Sequence, residues 1–493
     1  MNSRRDLPNI IYILADDLGY GDLSCLNPDS KLHTVHLDAM AEEGISFTDA
    51  HASSAVCTPS RYSILTGRYN WRSRLKSSVL GGYHGALIEQ GRMTVAGMLQ
   101  TSGYKTACIG KWHLGMDWKR DESRAIAPEF AMTEGIDYAA DIENAPVDFG
   151  FDYFYGISGS LDMPPYVYIE NRRATAVPDH ITESGGQQFW RKGPTAPDFK
   201  HEEVLPKLTE RVLDTIEKWK DDPFFIYFPL PAPHTPILPV GEFEGKSKTN
   251  AYGDFVLMCD DVVGQVISKL EEQNLTENTI VIFTSDNGCS PMADYEELEK
   301  FGHNPSYIFR GTKSDIYEGG HRIPLIVKWP AAIGAGRTCD DTVCLVDFMA
   351  TAADIVKFQL PDCAAEDSVS NLPIWRDEKY QRPLREATVH HSFDGCFSIR
   401  KGEWKLEMCP GSGGWSYPTQ EEITDDMPKI QLYHLGSDVS EKMNVSVAYP
   451  EICEELKQLL IKYISEGRST PGDPQKNTGA AYWDELHWMR EEQ

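Results

Sequence analysis

Residues 9–17 read NIIYILADD, a mostly apolar run that ends in two adjacent carboxylates. Three later runs have the same form, YKTACI at 104–109, FFIYF at 224–228 and TIVIFT at 279–284. Short apolar runs that do not alternate with polar residues are typical of parallel strands covered by helices on both faces. Helical patterns lie between them, at 94–103, 205–220 and 251–270. We therefore expect an α/β fold, with a large, mostly parallel sheet sandwiched by helices.

The pattern changes after residue 375. Strand-like stretches follow at 387–400, 403–409 and 430–436, and a helical pattern covers 449–466. Residues 409–427 are rich in Gly, Ser, Pro and acidic residues, and we expect a loop between two strands there. The predicted domains are a catalytic α/β domain at 1–375 and a smaller C-terminal α+β subdomain at 376–493, with a small antiparallel sheet and one helix.

Charge and composition exclude several classes of protein. The 493 residues include 47 basic and 75 acidic ones, a net charge of −28, which argues against nucleic acid or an anionic membrane as a general partner. No apolar stretch is long enough for a membrane span. The eleven cysteines show neither CxxC nor zinc-ligand spacing, which argues against a disulfide scaffold. The start passes from two arginines directly into the first strand, so the protein is cytoplasmic or a signal peptide has been removed.

The most specific local motif is CTPSR at 57–61, followed by YSILT and Gly67. Pro59 near the first turn and a glycine after the last residue predict a short helix. Cys57 then lies at the helix N-terminus, where free amide groups and the macrodipole favour an anion. A single cysteine is more often a buried structural residue, so this motif has to be judged together with the others.

Two strands are followed directly by hard oxygen ligands. Asp16 and Asp17 follow the first strand, and Asp286 and Asn287 follow the strand at 279–284. Each pair alone is more often part of a turn. Together they suit Ca²⁺ or Mg²⁺ much better than zinc, and the variable coordination of calcium makes it our choice.

Three further motifs follow strands or lie near them. They are GKWHLG at 110–115, PHTP at 233–236, and RGTK at 310–313 with YEGGHRIP at 317–324. An open α/β sheet binds its ligands beyond the carboxyl ends of its strands, so the motifs can converge there. Taken singly, a loop lysine or histidine is usually an ordinary solvated residue.

These six motifs, in this order, resemble type I sulfatases of the alkaline phosphatase superfamily, from residue 9 to about 330. The resemblance implies that a maturation enzyme oxidises Cys57 to formylglycine and that one calcium ion is bound. It assigns the calcium ligands to Asp16, Asp17, Asp286, Asn287 and residue 57. It assigns the catalytic and sulfate-binding roles to Cys57, Arg61, Lys111, His113, His234 and Lys313, with Ser160 as a further sulfate contact.

The same resemblance implies a mechanism of sulfate-ester hydrolysis. One hydroxyl of the hydrated aldehyde attacks sulfur in line with the leaving oxygen. His234, with Lys313, protonates that oxygen. His113 then removes the proton of the second hydroxyl, which expels sulfate and restores the aldehyde.

A sulfated sugar is the expected substrate, because the sequence resembles bacterial carbohydrate sulfatases that act on galactose or N-acetylhexosamine 6-sulfates. Candidate sugar contacts are His84, Asp162, His391 and Trp415, each of which is otherwise explained by loop or strand packing. Such a substrate favours a periplasmic or secreted protein, or a lysosomal one in an animal. The oligomeric state stays open.

Three other functions are compatible with parts of this pattern. A phosphonate monoester or phosphodiester hydrolase of the same superfamily also uses formylglycine at CxPxR. A noncatalytic protein that binds sulfated glycans would leave Cys57 unmodified. A cysteine hydrolase would pair Cys57 with a histidine but leaves the acidic residues without a role.

Overall fold

The computed structural model of the chain describes residues 7–121, 123, 125 and 130–490. The two arginines near the start of the chain, from which we inferred a cytoplasmic protein or a removed signal peptide, lie outside these residues. Numbered along the chain, the strands are β1 Asn9–Asp16, β2 Ile45–Phe47, β3 Ala50–His51, β4 Lys105–Lys111, β5 Tyr153–Ile157, β6 Ile169–Glu170, β7 Arg173–Ala174, β8 His180–Ser184, β9 Trp190–Thr195, β10 Phe224–Pro233, β11 Thr279–Ser285, β12 Leu325–Lys328, β13 Arg337–Cys339, β14 Val343–Cys344, β15 Thr388–His391, β16 Phe397–Lys401, β17 Trp404–Glu407 and β18 Gln431–His434.

The α-helices are α1 Val35–Glu42, α2 Cys57–Thr66, α3 Val95–Thr101, α4 Val204–Trp219, α5 Ala251–Glu272, α6 Tyr295–Lys300, α7 Glu318–His321, α8 Phe348–Val356, α9 Leu372–Trp375 and α10 Pro450–Glu466. The predicted helices are confirmed to within a few residues as α2, α3, α4, α5 and α10, and the sequence analysis did not identify the other five α-helices. The start of α3 is fixed by Thr94, whose hydroxyl accepts a hydrogen bond from the Gly97 amide at 3.0 Å.

The main sheet confirms the predicted fold class. Its ten strands run in the order β13-β2-β12-β11-β1-β10-β4-β5-β6-β7, and the five strands from β11 to β5 pair in parallel. Antiparallel pairing is confined to the flanking strands β12, β2, β6 and β7. The four apolar runs identified in the sequence are β1, β4, β10 and β11, which are adjacent, so their carboxyl ends lie side by side at one edge.

Helices pack against this sheet through side chains that alternate along the strands. Phe348 of α8 contacts Tyr12 of β1 and Phe225 of β10, with ring centroids 4.7 and 5.9 Å apart. Helices α4 and α5 also pack on β10, while α2 and α3 pack against α8. Every residue of β1, β10 and β11 is buried, and burial on both faces of the sheet explains why their sequences are continuously apolar.

The small antiparallel sheet is also confirmed, in the order β15-β16-β17-β18, with α10 packed on β16 and β17. The predicted loop between two of its strands connects β17 and β18. Its hydrophobic cluster includes Tyr69, Trp71 and Val346, which precede residue 375. The domain boundary at 375 stays a prediction. Among the described residues, no helix is long and apolar enough to cross a membrane.

Candidate active site

Cys57 is the first residue of α2. The helix begins here, two residues before Pro59, so the proline occupies the first turn, where its missing N–H leaves no hydrogen bond unmade. Gly67 ends the helix in the left-handed conformation, at φ 63°. The Cys57 side chain is buried, and burial raises the pKa of its thiol, against the opposing influence of Lys111 and Lys313. The thiol is therefore protonated and a poor nucleophile in its own right.

The predicted carboxylates meet at the edge formed by β1 and β11. Asp16 is the last residue of β1, Asp17 follows with φ 65°, and Asp286 and Asn287 follow β11. The Asp17 amide donates to Asp286 Oδ1 at 3.4 Å, and Asn287 Nδ2 donates to Asp17 Oδ1 at 2.8 Å. All four side chains are at least 98% buried. Parallel pairing of β1 with β11 brings the two motifs together.

Two basic side chains neutralise the inner carboxylates. The Arg61 guanidinium donates to Asp286 Oδ2 through Nε and Nη2, at 2.9 and 2.7 Å, and lies 3.5 Å from Asp16 Oδ1. Lys111 Nζ lies 2.5 Å from Asp16 Oδ2 and 3.2 Å from the Ser160 hydroxyl. Arg61 and Lys111 are themselves fully buried, so their charges are directed into the site.

A second group surrounds Asp17. Lys313 Nζ lies 2.6 Å from its Oδ1 and His234 Nε2 lies 3.6 Å from its Oδ2. Ser160 Oγ lies 3.3 Å from His234 Nδ1, which links this group to Lys111. Ser160, which the sequence analysis predicted as a sulfate contact, therefore lies between Lys111 on one side and His234 on the other.

His113 adds a buried imidazole with a defined tautomer. Its Nε2 lies 2.6 Å from the Leu80 carbonyl oxygen, to which it donates, so Nδ1 carries the lone pair and has no hydrogen-bond partner. Burial, reinforced by Lys111, holds the pKa of His113 well below its usual value. The His113 carbonyl accepts a hydrogen bond from Thr58 at 2.9 Å and so connects this residue to α2.

The ligand set fits a hard cation. One atom each from Asp16, Cys57 and Asp286 lie within 4.8 Å of one another, and the Cys57 sulfur stands where a formylglycine oxygen would be. Asp16 Oδ1 and Asn287 Oδ1 are buried without a hydrogen-bond partner, an arrangement that a cation would satisfy. Carboxylate and amide oxygens are calcium-type ligands.

The pKa values of the two inner carboxyl groups are shifted in opposite directions. Burial disfavours the charge of Asp16, but Lys111, His234 and Arg61 outweigh it and hold the pKa of Asp16 far below its usual value. Burial, opposed by Arg61, raises the pKa of Asp286 to about 6. Two carboxylates this close compete for the same positive charge, and a divalent cation bound between them would lower the pKa of both.

The proposed sugar contacts are more dispersed. His84 is half-buried, and its Nδ1 accepts a hydrogen bond from the Gly81 amide at 2.6 Å. Asp162 forms an ion pair with Arg191, which lies over the ring of Phe189. Trp415 is 46% exposed, and its amide donates to Asp315 at 3.0 Å.

His391 lies in the interior of the protein. Only 1% of it is exposed, and its Nδ1 lies 3.0 Å from Asn70 Nδ2. Burial lowers the pKa of His391 to about 3. The burial argues against a direct sugar contact, because β15 directs the side chain toward Phe397 of the small sheet, and the contact stays a prediction.

A cavity of about 950 Å³ beside Lys313 contains residues that the sequence analysis did not identify. Its lining includes Gln187 and Phe189 near the β8–β9 hairpin, Tyr295, Thr312 and Ser416. Thr312 precedes Lys313 and Ser416 follows Trp415 in the chain, but the side chains of Lys313 and Trp415 are not part of the lining. No sequence signal marked the hairpin residues, since they become neighbours of Lys313 only through folding.

Comparisons with known proteins agree with this geometry. A family model described as Sulfatase matches residues 8–358. The chain is 34% identical to an N-acetylgalactosamine-6-O-sulfatase of Bacteroides thetaiotaomicron over 92% of each chain. It is 27% identical to the mouse N-acetylgalactosamine-6-sulfatase over 95% of this chain and 88% of the mouse protein. A solved structure from work on glycosaminoglycan metabolism by Bacteroides thetaiotaomicron superposes with a TM-score of 0.81, at 33% identity over 93% of this chain and 99% of the other. The chain belongs to the sulfatase family and is a sulfuric ester hydrolase.

Proposed function

We propose that the protein removes a 6-O-sulfate from N-acetylgalactosamine or a galactose-type sugar of a sulfated glycan, with formylglycine at position 57 and one calcium ion. The observation that carries the proposal is the ring of Arg61, Lys111, His113, His234 and Lys313 around the buried Cys57. The names of the bacterial and mouse relatives support the sugar and the position of the sulfate.

The groups that maturation and binding add would each supply one kind of chemistry. Formylglycine, when formed, supplies a hydrated aldehyde as the nucleophile toward sulfur. Calcium, when bound by Asp16, Asp17, Asp286 and Asn287, lowers the pKa of an oxygen ligand and attracts a sulfate oxygen. Arg61 holds Asp286 and the helix start in place through its paired hydrogen bonds.

The remaining residues bind sulfate and transfer protons. Lys111, Ser160 and Lys313 offer donors that are already oriented within a buried site, so the sulfate charge is stabilised without reorganisation. His234 and Lys313 donate the proton that the leaving sugar oxygen needs. His113 accepts a proton at Nδ1, because its Nε2–H is fixed on the Leu80 carbonyl.

The cavity beside Lys313 provides room for a sugar residue. Phe189 and Tyr295 offer aromatic surface, while Gln187, Thr312 and Ser416 offer hydrogen-bonding groups, which is the usual composition of a small-molecule site. Asp162, His84 and Trp415 remain proposed sugar contacts. Sulfated glycans are extracellular, which supports a periplasmic or secreted location, or a lysosomal one in an animal.

The test is hydrolysis of a panel of substrates by the protein after its coexpression with a formylglycine-generating enzyme. The panel contains N-acetylgalactosamine 6-sulfate, galactose 6-sulfate, an N-acetylgalactosamine 4-sulfate, an aryl sulfate and an aryl phosphodiester, with Cys57→Ala as control. We expect sulfate release from the 6-sulfated sugars and none from Cys57→Ala. Preference for the phosphodiester would reject the proposal in favour of the phosphonate and phosphodiester branch.

Mass spectrometry of the tryptic peptide 32–61 shows whether Cys57 has been converted to the aldehyde. Fully converted protein that binds the 6-sulfated sugars without turnover would establish a binding protein instead. Turnover by unconverted protein would point to the cysteine hydrolase alternative.

A further inference from the structure

Cys396 and Cys409 lie opposite each other at the end of the small sheet that is nearest the active site. Strands β16 and β17 pair Ser398 with Glu407, and the Met408 amide donates to the Phe397 carbonyl at 2.8 Å. The same register places Cys396 opposite Cys409 at the next position. Because the pair before it is the hydrogen-bonded one, this is a non-hydrogen-bonded pair, with Cα atoms about 4.5 Å apart.

That spacing is compatible with a disulfide, which requires Cα atoms about 4.4–6.8 Å apart. Cys396 is half-buried and packs against the hydrophobic cluster that contains the buried Cys409. The two thiols are close enough to share a hydrogen bond, and this contact together with burial raises the pKa of Cys409.

Cys396 ends the loop between β15 and β16, and Cys409 begins the loop between β17 and β18. Both loops contact the segment that follows Lys313. On one side, the Phe393 amide donates to the Ser314 carbonyl at 2.9 Å. On the other, the Ile316 amide donates to the Ser412 carbonyl at 2.7 Å. The loops also contact each other, since the Asp394 amide donates to the Gly413 carbonyl at 3.0 Å.

Asp315 fastens the second of these loops. Its Oδ1 accepts from the amides of Trp415 and Ser416, both at 3.0 Å, and Ser416 lines the cavity beside Lys313. Whatever joins residues 396 and 409 therefore restrains two loops that support the active-site lysine and one wall of the cavity.

We propose that Cys396 and Cys409 are a redox-active pair that closes to a disulfide under oxidising conditions and holds these two loops together. The oxidant is a small-molecule disulfide such as glutathione disulfide. The more accessible Cys396 thiolate attacks one of its sulfurs and releases one thiol; the Cys409 thiolate then attacks the mixed disulfide at Cys396 and releases the second. The protein loses two protons and two electrons, and the oxidant gains them as its disulfide becomes two thiols.

The test uses the full-length folded protein, incubated in glutathione redox buffers, blocked with N-ethylmaleimide under acid quench and digested with trypsin. We expect the peptides 386–400 and 406–429 to be joined, and to separate on reduction with dithiothreitol. The joined species should disappear in Cys396→Ser and in Cys409→Ser, but persist in Cys363→Ser, which changes an exposed cysteine.

Thermal unfolding gives a second measurement. The disulfide closes a short loop and restrains the unfolded chain, so oxidised wild type should melt roughly 3 °C or more above its reduced form, with no such difference in either serine variant at 396 or 409. Quantitative blocking of both thiols by N-ethylmaleimide after oxidation, or a glutathione adduct at Cys396 that Cys409 never displaces, would overturn the proposal. Both are read from wild-type protein and do not depend on the variants folding.

Discussion

Lys313 Nζ lies 2.6 Å from Asp17 Oδ1, although the two residues are 296 positions apart in the chain. Asp17 follows β1, and Lys313 belongs to the long connection between β11 and β12. The pair brings a buried positive charge to the acidic side of the site, and in the proposed mechanism this charge acts on the leaving oxygen.

Lys313→Met should therefore lower kcat by about 10²-fold or more, since it removes one pre-oriented cationic donor. Folding should survive, because Met can occupy much of the volume of the lysine stem. The measurement is steady-state kinetics on the best substrate of the panel. Lys200→Met is the control, as Lys200 is 62% exposed and pairs only with surface Glu203 among its described contacts. A kcat within threefold of wild type would contradict the role of Lys313.

Calcium should raise the thermal stability of the protein as well as its activity. A ligand that binds only the folded state stabilises it in proportion to the logarithm of its concentration over Kd, so EGTA should lower Tm and calcium should restore it. Asp17→Asn removes one proposed ligand charge and should abolish most of the calcium-dependent shift. Asp29→Asn makes the same change at an exposed position and should keep it. Equal shifts in both variants would place the ion elsewhere.

Acid should destabilise the protein partly through His201. This residue is stacked on Trp190 with ring centroids 3.9 Å apart, its Nε2 has no hydrogen-bond partner, and burial lowers its pKa to about 3. The unfolded chain has the ordinary pKa of about 6.5 and binds a proton that the folded chain does not, so stability falls as the pH drops below about 6.5.

His201→Phe removes this titration and keeps an aromatic ring among Trp190, Tyr166 and Phe199. Between about pH 6.5 and pH 5, wild type should lose about 2 kcal/mol more unfolding free energy than this variant. Urea denaturation at each pH measures the difference. His180→Phe, at a half-exposed position, should follow wild type. Parallel curves for wild type and His201→Phe would show that folding does not lower the pKa of His201.

The contact between the main sheet and the small sheet should depend on Asp49. Its carboxylate accepts from Arg400 of β16 at 2.7 and 2.8 Å, lies 2.5 Å from Arg322 and is 2.8 Å from His51 Nε2. Asp49→Ala removes the nearest carboxylate from two mostly buried guanidinium groups and leaves them Glu318, at 2.9 Å from Arg322 and 3.7 Å from Arg400. We expect a loss of about 3 kcal/mol in unfolding free energy.

The control for that change is Asp141→Ala, which breaks a solvent-exposed ion pair with Arg173 and should leave the stability close to that of wild type. Urea unfolding of both variants gives the comparison. A loss below 1 kcal/mol in Asp49→Ala would show that solvent reaches the arginines and that this network contributes little.

Much of the fold could be predicted because its central strands are long and entirely buried. β1, β10 and β11 have no solvent face, and this leaves a continuous apolar run that local sequence reveals. The strands β6 and β7 have two residues each and were missed. Two strands this short pair only because the neighbouring strands are already in place. Two residues are also too few to show the alternation of apolar and polar residues that marks a strand.

The sequence alone determined which residues have the chemistry: a cysteine at a helix start, carboxylates after two strands, and lysines and histidines in specific motifs. Tertiary structure decided which of them meet. The order β11-β1-β10-β4 brings Asp286, Asp16, His234 and Lys111 to one edge, and packing buries His391 while leaving Trp415 exposed. Local propensity is set by neighbours a few residues away, but the distance between Asp17 and Lys313 is set by the packing of the whole sheet, and no short stretch of sequence contains it.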